Sequence, residues 1–375
     1  MTLAFRTLPG DNIGLGDNAL ASITTGTFNI AVGQSAGAAL TTGQQNVVIG
    51  VNAGYVLTAA STSVLIGPVA GRHLTTGDDN VFIGRAAGFS TTTAPRNVAI
   101  GAAALQNNVS GQQLVAIGDS ALASADGLSA VVAVGASAAY ALTTGESVTA
   151  VGRNALLACT TGGYNTAIGS EALVANVAGT ENTACGSHCL DGNQGDRNTG
   201  LGLGAGYRQT EGDDNLFAGY AAGRGIETDP NFVISRCVVL GSDSMRTPAT
   251  GADDNTIIGY RAGYLLTTGA DNLLLGSQAG GSVTTGTRNI AIGSGAEVDS
   301  PTGNDQINIG DRYFHDRIRL LERSADPAAP VEGETVVWMS DGTGKGDDGD
   351  VLIASTAGGK TRGATLFTHA TGNAW

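Results

Sequence analysis

One five-residue phrase recurs through this chain, and its clearest copy is Asn97-Val98-Ala99-Ile100-Gly101. Its glycine keeps time. Eleven glycines from Gly16 to Gly186 stand 17 residues apart; the step then falls to 16 at Gly202 and returns to 17 at Gly219. It lengthens to 22 at Gly241 and 18 at Gly259, and closes with three steps of 17 at Gly276, Gly293 and Gly310. These 18 copies occupy residues 11–313. A repeat so regular decides the architecture before any local motif does, because each unit buries its apolar side on its neighbours and the chain grows linearly without needing a larger core.

With the glycine numbered zero, positions −3 and −1 are apolar in most copies: Ile30 and Val32, Val47 and Ile49, Val64 and Ile66, Val81 and Ile83. Alternation of largely β-branched residues is a strand signal. Position −4 is Asn in 12 of the 18 copies, and +3 is Ala in most. Seventeen residues are too few for a helical or leucine-rich repeat and suit one coil of a parallel β-solenoid. The expected ladder comprises Asn29, Gly33, Asn46, Gly50, Asn80, Gly84, Asn97, Gly101, Asn165, Gly169, Asn272, Gly276, Asn289 and Gly293, with the asparagines stacked at a corner. The recurring Thr-Thr-Gly (24–26, 41–43, 75–77, 267–269) marks a further turn. At ~4.8 Å per strand, the coils make a rod on the order of 85 Å long.

If −3 and −1 point into the coil, −2 points out of it. Position −2 is apolar too, so Val48, Leu65, Phe82, Phe217, Ile257 and Leu274 are expected to form a subunit interface. Three chains about an axis are the simplest arrangement for a fibre.

The phrase Asn-x-(Ala/Val)-Ile-Gly followed by x-x-Ala resembles the repeats in the head domains of trimeric autotransporter adhesins. The Thr-Thr-Gly-x-x-Asn spacer resembles the version in bacteriophage fibre proteins. The resemblance covers about 300 residues and implies a homotrimeric β-roll without saying what it binds. The start, Met1 to Arg6, has no apolar run of signal-peptide length, and neither a heptad stalk nor membrane-anchor strands are found. The phage reading follows.

Composition fits. Fifty-eight glycines with 5% aromatic and 14% charged residues suit a chain that turns often, and 42% hydrophobic residues exclude a disordered tract. A net charge of −14 argues against nucleic acid and anionic membranes as partners. No stretch approaches the ~20 apolar residues of a membrane span.

Four regions are expected: an N-terminal segment 1–10, the shaft 11–313, a connector 314–330 and a small C-terminal β domain or cap 331–375. Period breaks put out loops, so Arg224–Pro230 and Asp243–Pro248 are candidate binding loops. Several motifs invite other chemistry. Ala354–Thr361 resembles a phosphate-binding loop, which needs a helix after Lys360. Gly200–Gly206 imitates a dinucleotide fingerprint but is a repeat unit. Cys185, His188 and Cys189 have too few companions for zinc, and both cysteines read as packing residues. The carboxylates of Asp341–Asp350 lack the spacing of a calcium loop and read as a solvated turn. The pairs Asp78-Asp79, Asp213-Asp214 and Asp253-Asp254 read as corner residues rather than a glycosidase pair.

No catalytic, cofactor or metal residue is therefore assigned. The expected function is a structural fibre of a bacteriophage virion, a tail fibre mediating host attachment, assembled in the host cytoplasm and displayed on the particle surface. A capsid (head) fibre or decoration protein and a polysaccharide-cleaving tailspike are the alternatives; ice binding fails because the threonine pairs miss many copies. Expected partners are the chain itself, other virion proteins and a host-surface glycan or protein.

Overall fold

The computed structural model describes residues 5–225, 232–310, 322–323, 335–340, 351–357 and 360–367. They form an all-β structure, with no helix among the described residues. The chain divides into two compact units, Met1–Asp311 and Arg312–Trp375.

In the first unit a parallel β-solenoid begins at β2 (Asn12–Leu15) and ends at β19 (Ile307–Ile309), 18 short strands hydrogen-bonded in sequence order. Strand β1 (Phe5–Leu8) pairs antiparallel with β2 and occupies its outer edge, a cover for an edge that would otherwise offer free backbone groups. Equivalent repeat positions face each other: Ala99 lies between Phe82 and Ala116. The register survives the 22-residue step, where Leu216, Phe217 and Ala218 pair with Val238, Val239 and Leu240.

The glycine column sets this stacking. Gly101 has φ +136, and a Cβ built there would lie 2.3 Å from the carbonyl oxygen of Gly118. The same collision with the next coil recurs from Gly16 to Gly276, at 2.2–2.7 Å. Both the backbone angle and the space exclude a side chain. The glycine of Thr-Thr-Gly serves by closeness alone: a Cβ on Gly43 would stand 2.1 Å from the Ala60 carbonyl oxygen.

The strand faces are the reverse of the sequence expectation. Val48, Leu65, Phe82, Phe217, Ile257 and Leu274 are fully buried inside the single chain, so they form its core and not a subunit interface. Positions −3 and −1 stand on the outside, half-buried or exposed. A strand apolar on both faces carries no period-2 signal for which side is inner; the size pattern within each coil does. Where −2 is Ala99, Ala116, Ala150, Ala167 or Ala184, position +4 is Leu105, Leu122, Leu156, Leu173 or Leu190. Where −2 is Val48, Leu65, Phe82, Phe217, Ile257 or Leu274, position +4 is Gly54, Gly71, Gly88, Gly223, Gly263 or Gly280. A Cβ on Gly88 would lie 2.6 Å from the Phe82 ring, and one on Gly223 2.3 Å from that of Phe217. In these eleven coils the two positions share one interior volume, filled from one side or the other; Ala31 with Gly37, Gly200 with Gly206, and Val239 with Met245 depart from the pattern.

In the second unit β20 (Glu322–Arg323) runs parallel to β21 (Thr335–Ser340), which pairs antiparallel with β22 (Val351–Ala357), itself antiparallel to β23 (Lys360–Phe367). Lys360 thus opens a strand, and the helix that a phosphate-binding loop requires does not follow it. The turn 341–350 lies outside the described residues, as does most of the connector 314–330.

The shared volume gives a direct test. Phe82→Ala should lower the unfolding free energy by about 3–5 kcal/mol. Adding Gly88→Leu, which gives this coil the Ala/Leu pairing of Ala99 and Leu105 in the next one, should recover at least half of it in denaturant titrations. A second substitution that only worsens the first would refute the shared volume.

Candidate functional site: the outer face and its flank

The ladder asparagines are buried inside the coil, because −4 shares a strand face with −2. Their amides bond mostly to backbone. The Asn29 Oδ1 accepts the Asn46 N–H at 3.0 Å, and its Nδ2 donates to the Gly43 carbonyl at 2.9 Å. Asn272 repeats this with the Asn289 N–H at 2.9 Å and the Gly286 carbonyl at 3.0 Å. One amide therefore ties a strand to the next strand and to the threonine turn, satisfying groups that burial would otherwise leave unpaired. The threonines add a parallel ladder, Thr41 Oγ1 donating to the Thr58 carbonyl at 3.1 Å and Thr267 Oγ1 to that of Thr284 at 3.0 Å.

Outside the coil, −3 and −1 form two columns running the length of the sheet. Of these 36 positions (two in each of 18 strands) none is charged. They are Val, Ile and Leu except for Ala218, Cys185 and five threonines, four of them consecutive at Thr149, Thr166, Thr183 and Thr199. Ile168 is 42% exposed and Leu201 43%. On a chain of net charge −14, this stripe is set apart by carrying no charge at all. Cys185 belongs to it and is exposed, whereas Cys159, Cys189 and Cys237 are buried. Burial pushes the Cys159 thiol up to about 11 and those of Cys189 and Cys237 up to about 12. Cys185, read from sequence as a packing residue, is a surface thiol instead.

Other columns do carry charge. At −5, Arg197, Arg236 and Arg288 fork onto Asp214, Asp254 and Asp305, with closest distances of 2.7, 2.6 and 2.7 Å. Hydrogen bonds from these arginines hold the three carboxyls below the usual range. The carboxylates at −6 accept backbone N–H groups of the preceding coil: Asp78 from Ser61, Asp213 from Asp196 and Asp253 from Ser235, at 2.7–2.8 Å. The paired aspartates are thus tied into the stacking of coils.

The flank after the glycine gathers the tyrosines. Tyr55, Tyr140, Tyr207 and Tyr264 stand at +5, and Tyr220 and Tyr260 at +1, six of the eight tyrosines in the chain. Arginines lie over several: Arg72 over Tyr55, Arg208 and Arg224 over Tyr207, and Arg261 over Tyr260 and Tyr264. Sequence reading passed over this enrichment, although numbering the tyrosines by repeat position displays it. Of the candidate loops, 226–231 lie outside the described residues, and Asp243–Pro248 follows the coil, with Thr247 Oγ1 donating to the Tyr264 carbonyl at 3.2 Å. Among the described residues no three His, Cys, Asp or Glu side chains gather as metal ligands.

Neither a family model, nor a curated protein, nor a solved structure matches the chain.

Asn272→Ala should cost about 2–4 kcal/mol in chemical denaturation, since it strands a buried N–H and a buried carbonyl. Arg236→Ala should leave the melting temperature at pH 7 nearly unchanged, the pair being exposed. Because the folded Asp254 carboxyl lies below its unfolded value of about 3.9, whatever the pair adds is present above that value. It vanishes as pH falls through the folded one. Parent and variant melting curves should converge there.

Proposed function

We propose that the chain is the shaft of a self-associating fibre of a bacteriophage virion, a tail fibre that attaches the particle to its host. The observation that carries this reading is the charge-free outer face. Water-exposed apolar columns of that length favour association, and copies that cover one another's columns about an axis along the rod bury all coils at once. A cyclic arrangement also keeps every chain pointing the same way, as a fibre fixed at one end requires. The number three comes from the resemblance to trimeric adhesin and phage-fibre repeats; the face itself suits two or three chains. Covering it places Cys185 in the seam, and the four consecutive threonines give that stretch hydroxyls that can pair across it.

Thiol labelling of the native full chain with a bulky maleimide tests the seam. The buried cysteines, with their raised pKa values, react slowly whatever the assembly. Cys185 should be protected in the native protein, and all four cysteines should label once it is unfolded. Ile168→Glu, one coil from Cys185 on the same column, should open the seam and expose the thiol. Rapid labelling of Cys185 in the native parent would contradict a seam on this face. Antibody to the shaft should decorate phage tails in electron micrographs; decoration of the capsid alone would contradict the tail assignment.

A further inference from the structure

One stretch of the flank departs from its own repeat. Position +5 carries Tyr264 in one coil and Gly281 in the next. Gly281 does not have the positive φ that would call for glycine. Gly295 stands at +2, where Arg261 and Gln278 stand in the two preceding coils. These two absent side chains open a pocket of about 410 Å³, lined further by Arg261, Tyr264, Leu265, Gln278 and Glu297.

We propose that this pocket binds a neutral saccharide, with Tyr264 as the platform and Arg261 and Glu297 as the polar grips. The proposal deepens the attachment reading and rests on it for its biological purpose. Its chemistry stands on the pocket. The Arg261 guanidinium lies 5.3 Å from the Tyr260 ring centre and 5.2 Å from that of Tyr264, so it is held by two rings and loses little freedom on binding. Leu265, 45% exposed at the rim, adds apolar surface. Glu297 sits at +4, a position that most other coils give to Leu or Gly. Its Oε2 accepts the Ser282 N–H at 3.1 Å and the Ser282 hydroxyl at 2.6 Å. Its Oε1 has no hydrogen-bond donor among the described residues, and neither pocket carboxylate oxygen is taken up by an ion pair.

A fixed cation that only donates, beside a carboxylate that only accepts, complements vicinal hydroxyls, which do both. An aromatic face takes the C–H side of a pyranose ring, where one surface of the ligand is apolar and its edge is polar. Glu297 and the net charge of −14 oppose an acidic sugar. A shallow site of this kind fits weak binding multiplied along a fibre carrying several copies.

Saturation-transfer NMR on the full chain, with the methyl glycosides of glucose, galactose, mannose and N-acetylglucosamine and with galacturonate as the acidic probe, tests this. At least one neutral glycoside should bind in the millimolar range, and galacturonate should bind more weakly. Tyr264→Ala and Arg261→Ala should each weaken binding about tenfold, the scale of one lost stacking or hydrogen-bonded contact. Gly281→Tyr should abolish it by filling the pocket while keeping the fold, since tyrosine already stands at +5 one coil away; Tyr55→Ala should change nothing. Melting curves of each variant separate lost binding from lost fold. No signal from any neutral glycoside, preference for galacturonate, or binding indifferent to Gly281→Tyr would each overturn the site. A chain that binds sugar but does not self-associate would sink the fibre reading and leave the site standing; an assembled chain that binds none would do the opposite.

Discussion

Backbone approaches backbone in this molecule more closely than any side chain permits. From Gly16 to Gly276 the glycine α-carbon faces the carbonyl of the corresponding glycine in the next coil, with room for hydrogen only. That constraint locks the register, and a locked register turns a sequence position into a column. Everything else follows from columns. An asparagine that satisfies one strand satisfies the next in the same way, so a single amide geometry serves a dozen coils. The column lapses as an apolar run at Leu114, Val131 and Val148 and singly at Ser63 and Cys237; because the partner is a backbone N–H, those of Leu114, Ser63 and Cys237 still reach the preceding asparagine's Oδ1.

The interior shows how little space a coil of this size encloses. Phe82 and Gly88 fill the same volume as Ala99 and Leu105. Such a core gains its stability from repetition rather than thickness, each coil depending on the one beside it. The outer face carries the complementary message. Charges are abundant at −5 and −6 and in the flank, yet absent from the two columns of the sheet face, and the contrast between adjacent columns is sharper than the composition of any one of them.

The solenoid was legible because the glycine period is a backbone requirement, which no tertiary context overrides. The ladder residues were legible for the same reason. The inner and outer faces were not: Val47, Val48 and Ile49 are alike to an alternation argument, and parity became visible only through buried Asn46 on the same face as Val48. The information was nevertheless present, in the reciprocal sizes of −2 and +4, which ask for a comparison between positions rather than along a strand. Cys185 at −1 and Cys189 at +3 both read as packing residues from sequence, since apolar residues fill both columns in the other coils. The flank pocket was illegible in a stronger sense. In a chain with 58 glycines, Gly281 is conspicuous only once the positions that require glycine are known.

In the proposed fibre the uncharged columns at −3 and −1 are covered by other copies of the chain. Light scattering on the native protein decides this, with a second measurement on Ile100→Glu, a change in the sixth of the 18 coils that lies on the outer face. Three chains of 37.3 kDa amount to about 112 kDa (3 × 37.3); that mass is expected for the parent, with a marked fall toward 37.3 kDa for the variant. A parent that scatters as a single chain, or a variant that keeps the parent's mass, would contradict it.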